Sequence, residues 1–296
     1  MLLPGIYFIA QTLVGAGYGT PAPVSVAPGQ IATFYVAGLP SLTGITAALE
    51  QGGSISIPIQ AVSSVSLCPT GRIVSSVCGS LVAVTVQIPY ALNLAGPAAV
   101  QIGQSGQAGT AIELNPVADQ VHVLTACDVA LGQSSPEPNL TDLQCPPLVT
   151  HSNGALVSAS SPASPGEALT AWVFGLGQTT PAATTGQPAK TAPTAETFNL
   201  DFRYQVNALA TNPFTGEPDS IPLHPLFAGL APGFVGLYQV NFVVPAGPPN
   251  GIPQCTLPGT AATGASVVQS NLTVSIGGQF SFDGAGICVA TQIPVD

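Results

Sequence analysis

The sequence holds three histidines and thirteen carboxylates, the residue types that most often carry acid–base or metal chemistry. The histidines are His122, His151 and His224, and no two of them are close along the chain. A metal site needs several converging ligands, so each histidine is interpreted as structural or simply exposed. Glu217 and Asp219 come nearest to a calcium cluster, but the Asp-rich loop typical of such sites is missing. We therefore predict no metal and no other cofactor.

A nucleophile with a partner base is equally hard to find. The string Gly103–Gly106 (GQSG) has the composition of a polar turn, not of a nucleophile elbow between a strand and a helix. Gly15–Gly19 lacks the lysine and the following helix of a phosphate loop. The single tryptophan, Trp172, lies on a predicted strand and is interpreted as a core residue rather than as an exposed platform for a sugar. These observations predict that the protein is not an enzyme.

The cysteines offer covalent cross-links instead. They form three pairs of neighbours along the chain, which are Cys68 with Cys78, Cys127 with Cys145, and Cys255 with Cys288. Fifteen pairings are possible in principle, and the neighbour pairing is preferred because each pair falls within one inferred domain or linker. The CxxC spacing of zinc sites is absent. Disulfides of this kind predict an oxidising, extracellular compartment, and each would stabilise the fold by roughly 3 kcal/mol in the chain-entropy model.

Charge is unusually scarce in this chain. Charged residues make up 5% of the sequence and the net charge is −10, with only three basic residues, Arg72, Lys190 and Arg203. Nucleic acid and anionic membranes both require clusters of Lys and Arg, so neither is a predicted partner. No apolar run reaches the length of a membrane span, and none is predicted. A surface so poor in charge indicates cover by polar side chains, by sugar or by neighbouring subunits.

The elements that position these residues are short strands. Thirty-three glycines and thirty prolines interrupt the apolar residues every few positions, a pattern that favours strands and turns over helices. Two elements occur twice. Residues 24–39 and 158–177 each contain a Pro-Gly turn, an alternating strand and a Gly-Leu pair, and residues 84–102 and 237–252 each contain an alternating strand that ends at proline. The duplication predicts an all-β protein built from two similar domains.

The predicted domains lie in tandem at residues 18–126 and 150–296, with an N-terminal extension strand at 1–17. Residues 127–149 between them are interpreted as a disulfide-closed linker. Residues 178–196, rich in Thr, Pro and Ala, are interpreted as a long surface loop, with an O-glycosylated loop as the alternative. Two sequons begin at Asn139 and Asn271, which makes these residues the candidate N-glycosylation sites of a glycoprotein, although such sequons are usually unused in bacteria.

The N-terminal residues 2–14 allow two interpretations. They have the length of the apolar core of a signal peptide, but no Lys or Arg precedes them. The preferred interpretation is an ordered strand, in which Ile6, Phe8 and Ala10 alternate and could fill a groove on a neighbouring sheet. These three residues are the candidate assembly strand.

A resemblance to a known family rests on the run Leu226–Val243 (LFAGLAPGFVGLYQVNFV), whose most specific part is Ala228–Asn241. The chain resembles an uncharacterised family of immunoglobulin-like domains that is abundant in secreted and surface proteins of acidobacteria. Further matches are Pro165-Gly166, Gly175–Gly177, Val244-Pro245 with Gly247, and Ser270–Ile276, with looser matches at Pro28-Gly29, Gly38-Leu39 and Val86–Tyr90. The resemblance implies that the two domains are tandem immunoglobulin-like β-sandwiches and that the protein is extracellular, and it implies no activity.

Two functions of different classes remain open. The first is a structural subunit of an extracellular bacterial assembly, such as a filament, sheath or surface layer, that polymerises as a homopolymer by adding the N-terminal strand to the next subunit. The second is a monomeric cell-surface adhesin or ligand-binding module whose loops bind the ligand. An enzyme is the weakest alternative, and a pair of carboxylates about 5–9 Å apart in a cleft would revive it.

Overall fold

The regular structure of this protein is almost entirely β-strand, which confirms the predicted all-β class. The structure is a computed structural model that describes residues 7–12, 24–65, 81–109, 111–125, 128, 146–158, 160–190, 198–202, 221–245, 272–276 and 282–290. Nineteen strands are described within these ranges.

The strands fall into two groups along the chain. The first ten are β1 (Tyr7–Thr12), β2 (Val24–Val26), β3 (Ile31–Ala37), β4 (Ile45–Glu50), β5 (Ser54–Ser56), β6 (Ile59–Val65), β7 (Leu81–Gln87), β8 (Ala98–Gln104), β9 (Gln107–Ala108) and β10 (Ile112–Pro116). The other nine are β11 (His122–Val123), β12 (Val149–His151), β13 (Ala168–Phe174), β14 (Phe198–Phe202), β15 (Ile221–Leu223), β16 (Phe227–Leu230), β17 (Tyr238–Val243), β18 (Leu272–Ile276) and β19 (Phe282–Ala285).

The first ten strands form two sheets around one core, here called the first unit. One sheet has the order β1-β3-β7-β6, and the other has the order β2-β10-β8-β4-β5, with β9 paired to β8. Alternation along β3 and β8 directs Phe34 and Val100 into the space between the sheets, where both are fully buried. Further side chains of this core come from β2, β4, β7 and β10, and Ile57, Ile88 and Leu92 contribute from between the strands.

The second unit repeats this arrangement. One sheet has the order β11-β13-β17-β16 with β12 also paired to β13, and the other has the order β15-β14-β18-β19. Its core contains Tyr238 and Phe242 of β17 and Leu272 of β18, all fully buried. Even the parallel pairing of β2 with β10 has a counterpart, since Ala163 forms a parallel bridge with Val289.

The duplicated sequence elements fall on corresponding strands. The two Pro-Gly turns precede β3 and β13, and the two strands that end at proline are β7 and β17. Hydrogen bonds repeat as well, because Gly29 N–H donates to the Ile88 carbonyl at 3.0 Å and Gly166 N–H donates to the Val244 carbonyl at 2.8 Å. The same local sequence therefore produces the same turn, attached in the same way to the end of the neighbouring strand.

The chain enters the second unit early. Strand β11 pairs with β13, and Val121 and Val123 lie in the second core. The second unit thus begins at about residue 121, within the range 18–126 that the sequence assigns to the first domain. The segment 127–149, interpreted from sequence as a linker, lies between β11 and β12, two strands that pair with the same neighbour.

Candidate functional site

The strongest cluster of chemically capable side chains surrounds His151 at the end of β12. The ring Nδ1 lies 2.5 Å from Oε1 of Glu167, and Nε2 lies 3.2 Å from Oγ of Ser161. The hydrogen bond to Glu167 raises the pKa of His151. Partial burial alone would raise the pKa of Glu167, but hydrogen bonds from His151 and from the Ser164 N–H lower it overall. The residue types and the distances between them resemble those of a catalytic Ser-His-Glu triad.

Two features of this cluster favour an ion pair over a catalytic relay. Nε2 also lies 3.0 Å from the carbonyl oxygen of Ser161, so the ring can donate from both nitrogens as an imidazolium. A catalytic histidine must instead offer an unprotonated Nε2 to the serine. The residue after Ser161 is Pro162, which has no N–H to stabilise an oxyanion. The cluster therefore serves to tie β12 to the Pro-Gly turn that precedes β13.

His122 belongs to a second, more buried group. Its Nε2 lies 2.9 Å from Oδ2 of Asp128, which also accepts hydrogen bonds from the N–H and the hydroxyl of Thr125. Burial alone would raise the pKa of Asp128, and these hydrogen bonds lower it overall. Burial, followed by the charge of Asp128, raises the pKa of Tyr35 in the first unit. The group thus lies close to the sheet that contains β3, and the interpretation of His122 as a structural residue fits this position.

The other residues considered from sequence are widely separated or lie outside the described residues. His224 is exposed, and Glu217 and Asp219 are outside the described ranges. Within the described ranges, no group of three His, Cys, Asp or Glu side chains is arranged to hold a metal ion.

The predicted disulfides and sequons fall mostly outside the described residues. Cys288 is the one described cysteine, and it is half-buried against the second core. Its predicted partner Cys255 lies outside those ranges, as do Cys68, Cys78, Cys127 and Cys145, so the three disulfides stay predictions. The candidate glycosylation residues Asn139 and Asn271 also lie outside the described ranges.

A cavity of about 680 Å³ lies on the first unit between β4 and β10 and contains two carboxylates. Glu50 and Glu113 are each paired in register with Ala99 of the strand between them, which places their backbones about 9.6 Å apart. Among the described residues, no hydrogen bond or ion pair orients either carboxylate. The cavity therefore gives the enzyme alternative a location on the first unit.

A set of polar contacts among the described residues joins the two units. Tyr90, which follows β7, packs into the core of the second unit, and its hydroxyl lies 3.5 Å from that of Tyr238. The Tyr90 N–H donates to Oγ1 of Thr185 at 3.0 Å, and Gln178 Nε2 donates to the Tyr90 carbonyl at 2.5 Å. The N–H of Gly186 donates to Oε1 of Gln87 at 2.6 Å. We call these six residues the joint.

The joint adds a contact to one interpretation made from sequence. Residues 178–196 are expected to form a long surface loop, and most of the described residues 178–190 are exposed, but Thr185 and Gly186 also bind the first unit. Gly186 also lies against Pro58, where a Cβ atom would be 2.9 Å from the proline Cγ. Composition could not show this, because Thr, Pro and Ala are as suitable for a close-packed interdomain contact as for a solvated loop.

Trp172 is the residue whose position sequence reasoning predicted wrongly. In β13 the buried side chains are Leu169, Ala171 and Val173, so Trp172 points to the opposite face of the sheet, where it is half-buried. The prediction of a core position is therefore wrong. The signal that could have revealed this was present, because Trp172 alternates out of phase with the aliphatic residues of its own strand.

The outer face of this sheet, the side away from the core, carries uncharged groups on β12, β13, β17 and β16. They are Thr150, Ala168, Thr170, Trp172, Phe174, Phe227, Gly229, Gln239, Asn241 and Val243. At the β11 end, His122 lies opposite Phe174 on the same face and is ion-paired with Asp128. The indole N–H of Trp172 donates to Oγ1 of Thr150 at 3.3 Å, and the Thr170 hydroxyl donates to Oδ1 of Asn241 at 3.1 Å. Hydrogen bonds across strands thus fix the ring and the amide at the centre of the face.

The candidate assembly strand lies in β1. This strand occupies the edge of the sheet β1-β3-β7-β6 and pairs antiparallel with β3, with Phe8 opposite Val36 and Ala10 opposite Tyr35. Ile6 lies outside the described residues.

The chain matches no family model, and no curated protein matches it. Within the described ranges, no helix has the length and apolar character needed to cross a membrane.

Proposed function

We propose that this protein is a non-enzymatic structural subunit of an extracellular bacterial assembly, such as a filament, sheath or surface layer. Each unit is an immunoglobulin-like β-sandwich, and subunits polymerise when the N-terminal segment adds its strand to the sheet of a neighbouring copy. The proposal rests mainly on the position of β1, which lies at a sheet edge and is hydrogen-bonded to β3.

The strand order supports the immunoglobulin-like assignment. Immunoglobulin domains place strands A, B, E and D in one sheet and C, F and G in the other. The order β1-β3-β7-β6 corresponds to A-B-E-D. The order β10-β8-β4-β5 corresponds to G-F-C, with β5 as an added C′ strand. The second unit repeats both orders with β12-β13-β17-β16 and β15-β14-β18-β19. The resemblance at Ala228–Asn241 points to the same fold.

Edge pairing supports assembly by strand addition. Removing β1 would leave one side of β3 with unpaired N–H and C=O groups, which readily accept a strand from another chain. The β1 of a neighbouring copy could restore the same register, so the exchange would replace one set of hydrogen bonds with an identical set. The joint supports a structural role as well, because its contacts hold the two units together, so that each subunit would add to a polymer as one piece.

The test is deletion of residues 1–15 from the full chain. The expected product is a folded monomer that no longer polymerises, measured by electron microscopy of native and recombinant material and by light scattering. A synthetic peptide of residues 1–17 should bind this variant, and a peptide with the same composition in scrambled order should not. Polymer formation that is unchanged by the deletion contradicts the role of β1.

A second function, a monomeric adhesin or ligand-binding module, is favoured by one specific observation. Trp172 and two amides lie on an outer sheet face, the kind of arrangement that a ligand-binding surface uses. Light scattering at high protein concentration separates the two functions, because a monodisperse monomer favours the module and a concentration-dependent polymer favours the subunit.

A further inference from the structure

The outer face around Trp172 differs from its counterpart in the first unit. Tyr35 and Trp172 each stand six residues after the glycine of their Pro-Gly turn, and Thr33 and Thr170 each stand four residues after it. Thr33 hydrogen-bonds to Thr85 across the sheet just as Thr170 does to Asn241. Tyr35 and Thr33 are 2% and 5% exposed, whereas Trp172 and Thr170 are both half-buried. One face is closed within the chain and the other is accessible.

From this accessible face we propose a binding site for a neutral carbohydrate, in which a sugar ring stacks on Trp172. An indole ring offers a flat apolar surface to the C–H groups of a sugar, and amides and hydroxyls beside it bind the sugar hydroxyls. Gln239 lies directly opposite Trp172 in register, and Asn241 lies one row away. Asn241 uses Oδ1 to accept from Thr170, which leaves its two N–H donors for a ligand.

Charge supports a neutral ligand. None of the outward-facing residues on β12, β13, β17 and β16 is charged. The β11 end of the sheet adds His122, whose partner Asp128 lies 2.9 Å away, so the two charges compensate each other. An acidic polysaccharide would therefore find no uncompensated cation on this face, and a basic peptide would find no uncompensated carboxylate. A neutral sugar matches this surface because it needs only hydrogen bonds and an apolar ring.

The size of the outer face favours a sugar over a second copy of the chain as its ligand. Four strands at about 4.8 Å and five residues at about 3.4 Å give a face of about 19 Å by 17 Å. That area, about 300 Å², is well below the roughly 800 Å² that each partner of a stable protein complex buries. A short stretch of oligosaccharide fits such a face, whereas a stable dimer needs more surface.

Position in the fold supports an already formed site. Trp172 is held by its bond to Thr150 and Asn241 by its bond to Thr170, so neither side chain has to be ordered when a ligand binds. Gly229 ends the row that contains Trp172 and Gln239, and its lack of a side chain leaves room beside the amide. This site does not depend on the proposed assembly, since β1 lies in the other unit.

The chain itself provides the reporter for a test. Trp172 is the single tryptophan, so any change in tryptophan fluorescence originates at this face. The full-length protein is titrated with soluble neutral polysaccharides, namely dextran, galactomannan, xyloglucan and mixed-linkage β-glucan, with polygalacturonate as the charged comparison. We expect a saturable shift or quench with at least one neutral polysaccharide and none with polygalacturonate.

Variants then locate the binding. In affinity electrophoresis, the active polysaccharide should retard the Trp172→Ala variant much less than the wild type. The expected loss of apparent affinity is at least tenfold. Asn241→Leu keeps the tryptophan and should weaken the fluorescence response severalfold. Phe234→Ala is the matched control, because Phe234 is an exposed aromatic residue in the turn between β16 and β17, away from the face. Circular dichroism and the thermal midpoint confirm that each variant is folded.

Three results overturn the proposal. The first is the absence of a saturable fluorescence change with every neutral polysaccharide. The second is full retardation of a folded Trp172→Ala variant, which places any binding elsewhere. The third is a fluorescence change that depends on protein concentration alone, which identifies the face as a contact between copies. If the β1 deletion has no effect on polymer formation, the assembly proposal fails but the polysaccharide-binding results are unchanged. The two proposals can therefore be contradicted separately.

Discussion

The two Pro-Gly turns have the same backbone and opposite surroundings. In each turn the residue after glycine returns its side chain to cap the turn, with Gln30 accepting from the Ala27 N–H and Glu167 accepting from the Ser164 N–H, both at 2.8 Å. Gln30 is completely buried beside the joint, whereas the side chain of Glu167 is 25% exposed and pairs with His151. The buried turn is thus capped by a neutral amide, and the solvent-accessible turn is capped by a carboxylate.

That difference shows how burial limits the side chain that equivalent positions of a repeated fold can carry. A carboxylate can cap a turn only where water or a cation compensates its charge, and an amide can cap it in either place. The outer faces follow the same rule, since Tyr35 lies on a closed face and Trp172 on an accessible one. Duplication supplied the backbone, and burial then determined which side chain each copy could keep.

The sharpest way to break this comparison is to add one methyl group to each turn glycine. Gly29 and Gly166 both have positive φ, 76° and 83°, and alanine costs roughly 1–2 kcal/mol in that conformation. A Cβ on Gly29 would lie 2.2 Å from a ring carbon of Tyr90, whereas one on Gly166 meets nothing within 4 Å. Overpacking adds roughly 1–3 kcal/mol, so Gly29→Ala should lose about 3 kcal/mol and Gly166→Ala about 1 kcal/mol in urea unfolding. Equal losses would mean that Tyr90 moves aside and the joint is loose.

Exchanging the capping side chains should have the next largest effect. Gln30→Glu places a carboxylate where no cation of the described residues compensates it, and the free energy of unfolding should fall by about 3 kcal/mol at pH 7. Burial will raise the pKa of the new carboxyl, so much of the loss should be recovered in acid as the group becomes neutral. Glu167→Gln should cost less than about 1 kcal/mol, because exposed pairs are weak. A pH-independent loss for Gln30→Glu would contradict an electrostatic cause.

The sequence predicted the parts of the fold that depend on local pattern. Alternation in 24–39 and 158–177 indicated β3 and β13, and proline at positions 89 and 245 indicated the ends of β7 and β17. These features are encoded by neighbours along the chain, which is why all-β class and duplication could be derived without coordinates. The immunoglobulin-like strand order needs long-range pairings, which the local pattern does not contain.

What the sequence did not reveal depends on contacts between distant residues. Tyr90 gives no sign in its own segment that it completes the core of the other unit, 148 residues from Tyr238. The pair formed by His151 and Glu167 is separated by 16 residues and a turn, so a search for neighbouring histidines missed it. Trp172 was misplaced for a different reason, since its size suggested the core while its phase in the strand pointed outward.

The smallest predicted effect is the pH dependence of the second turn. The pKa of His151 is raised above its ordinary value of 6.5, so its contribution is complete below that pH and is lost as pH rises through the folded value. The pKa of Glu167 is lowered below its ordinary value of 4.5, so its contribution is complete above that pH and is lost as pH falls through the folded value. The stability difference between wild type and Glu167→Gln should therefore be largest between pH 4.5 and 6.5 and shrink on both sides.

The first turn offers the internal reference for that measurement, because its cap, Gln30, carries no titratable group. Thermal midpoints of wild type, Glu167→Gln and His151→Gln should converge in strong acid and again above the folded pKa of His151, with a maximum difference equivalent to less than about 1 kcal/mol. A Glu167→Gln difference that stays constant from pH 4 to 9 would show that Glu167 acts only through its bond to the Ser164 N–H. In that case the two turns would share one mechanism, and exposure would have added nothing to the second.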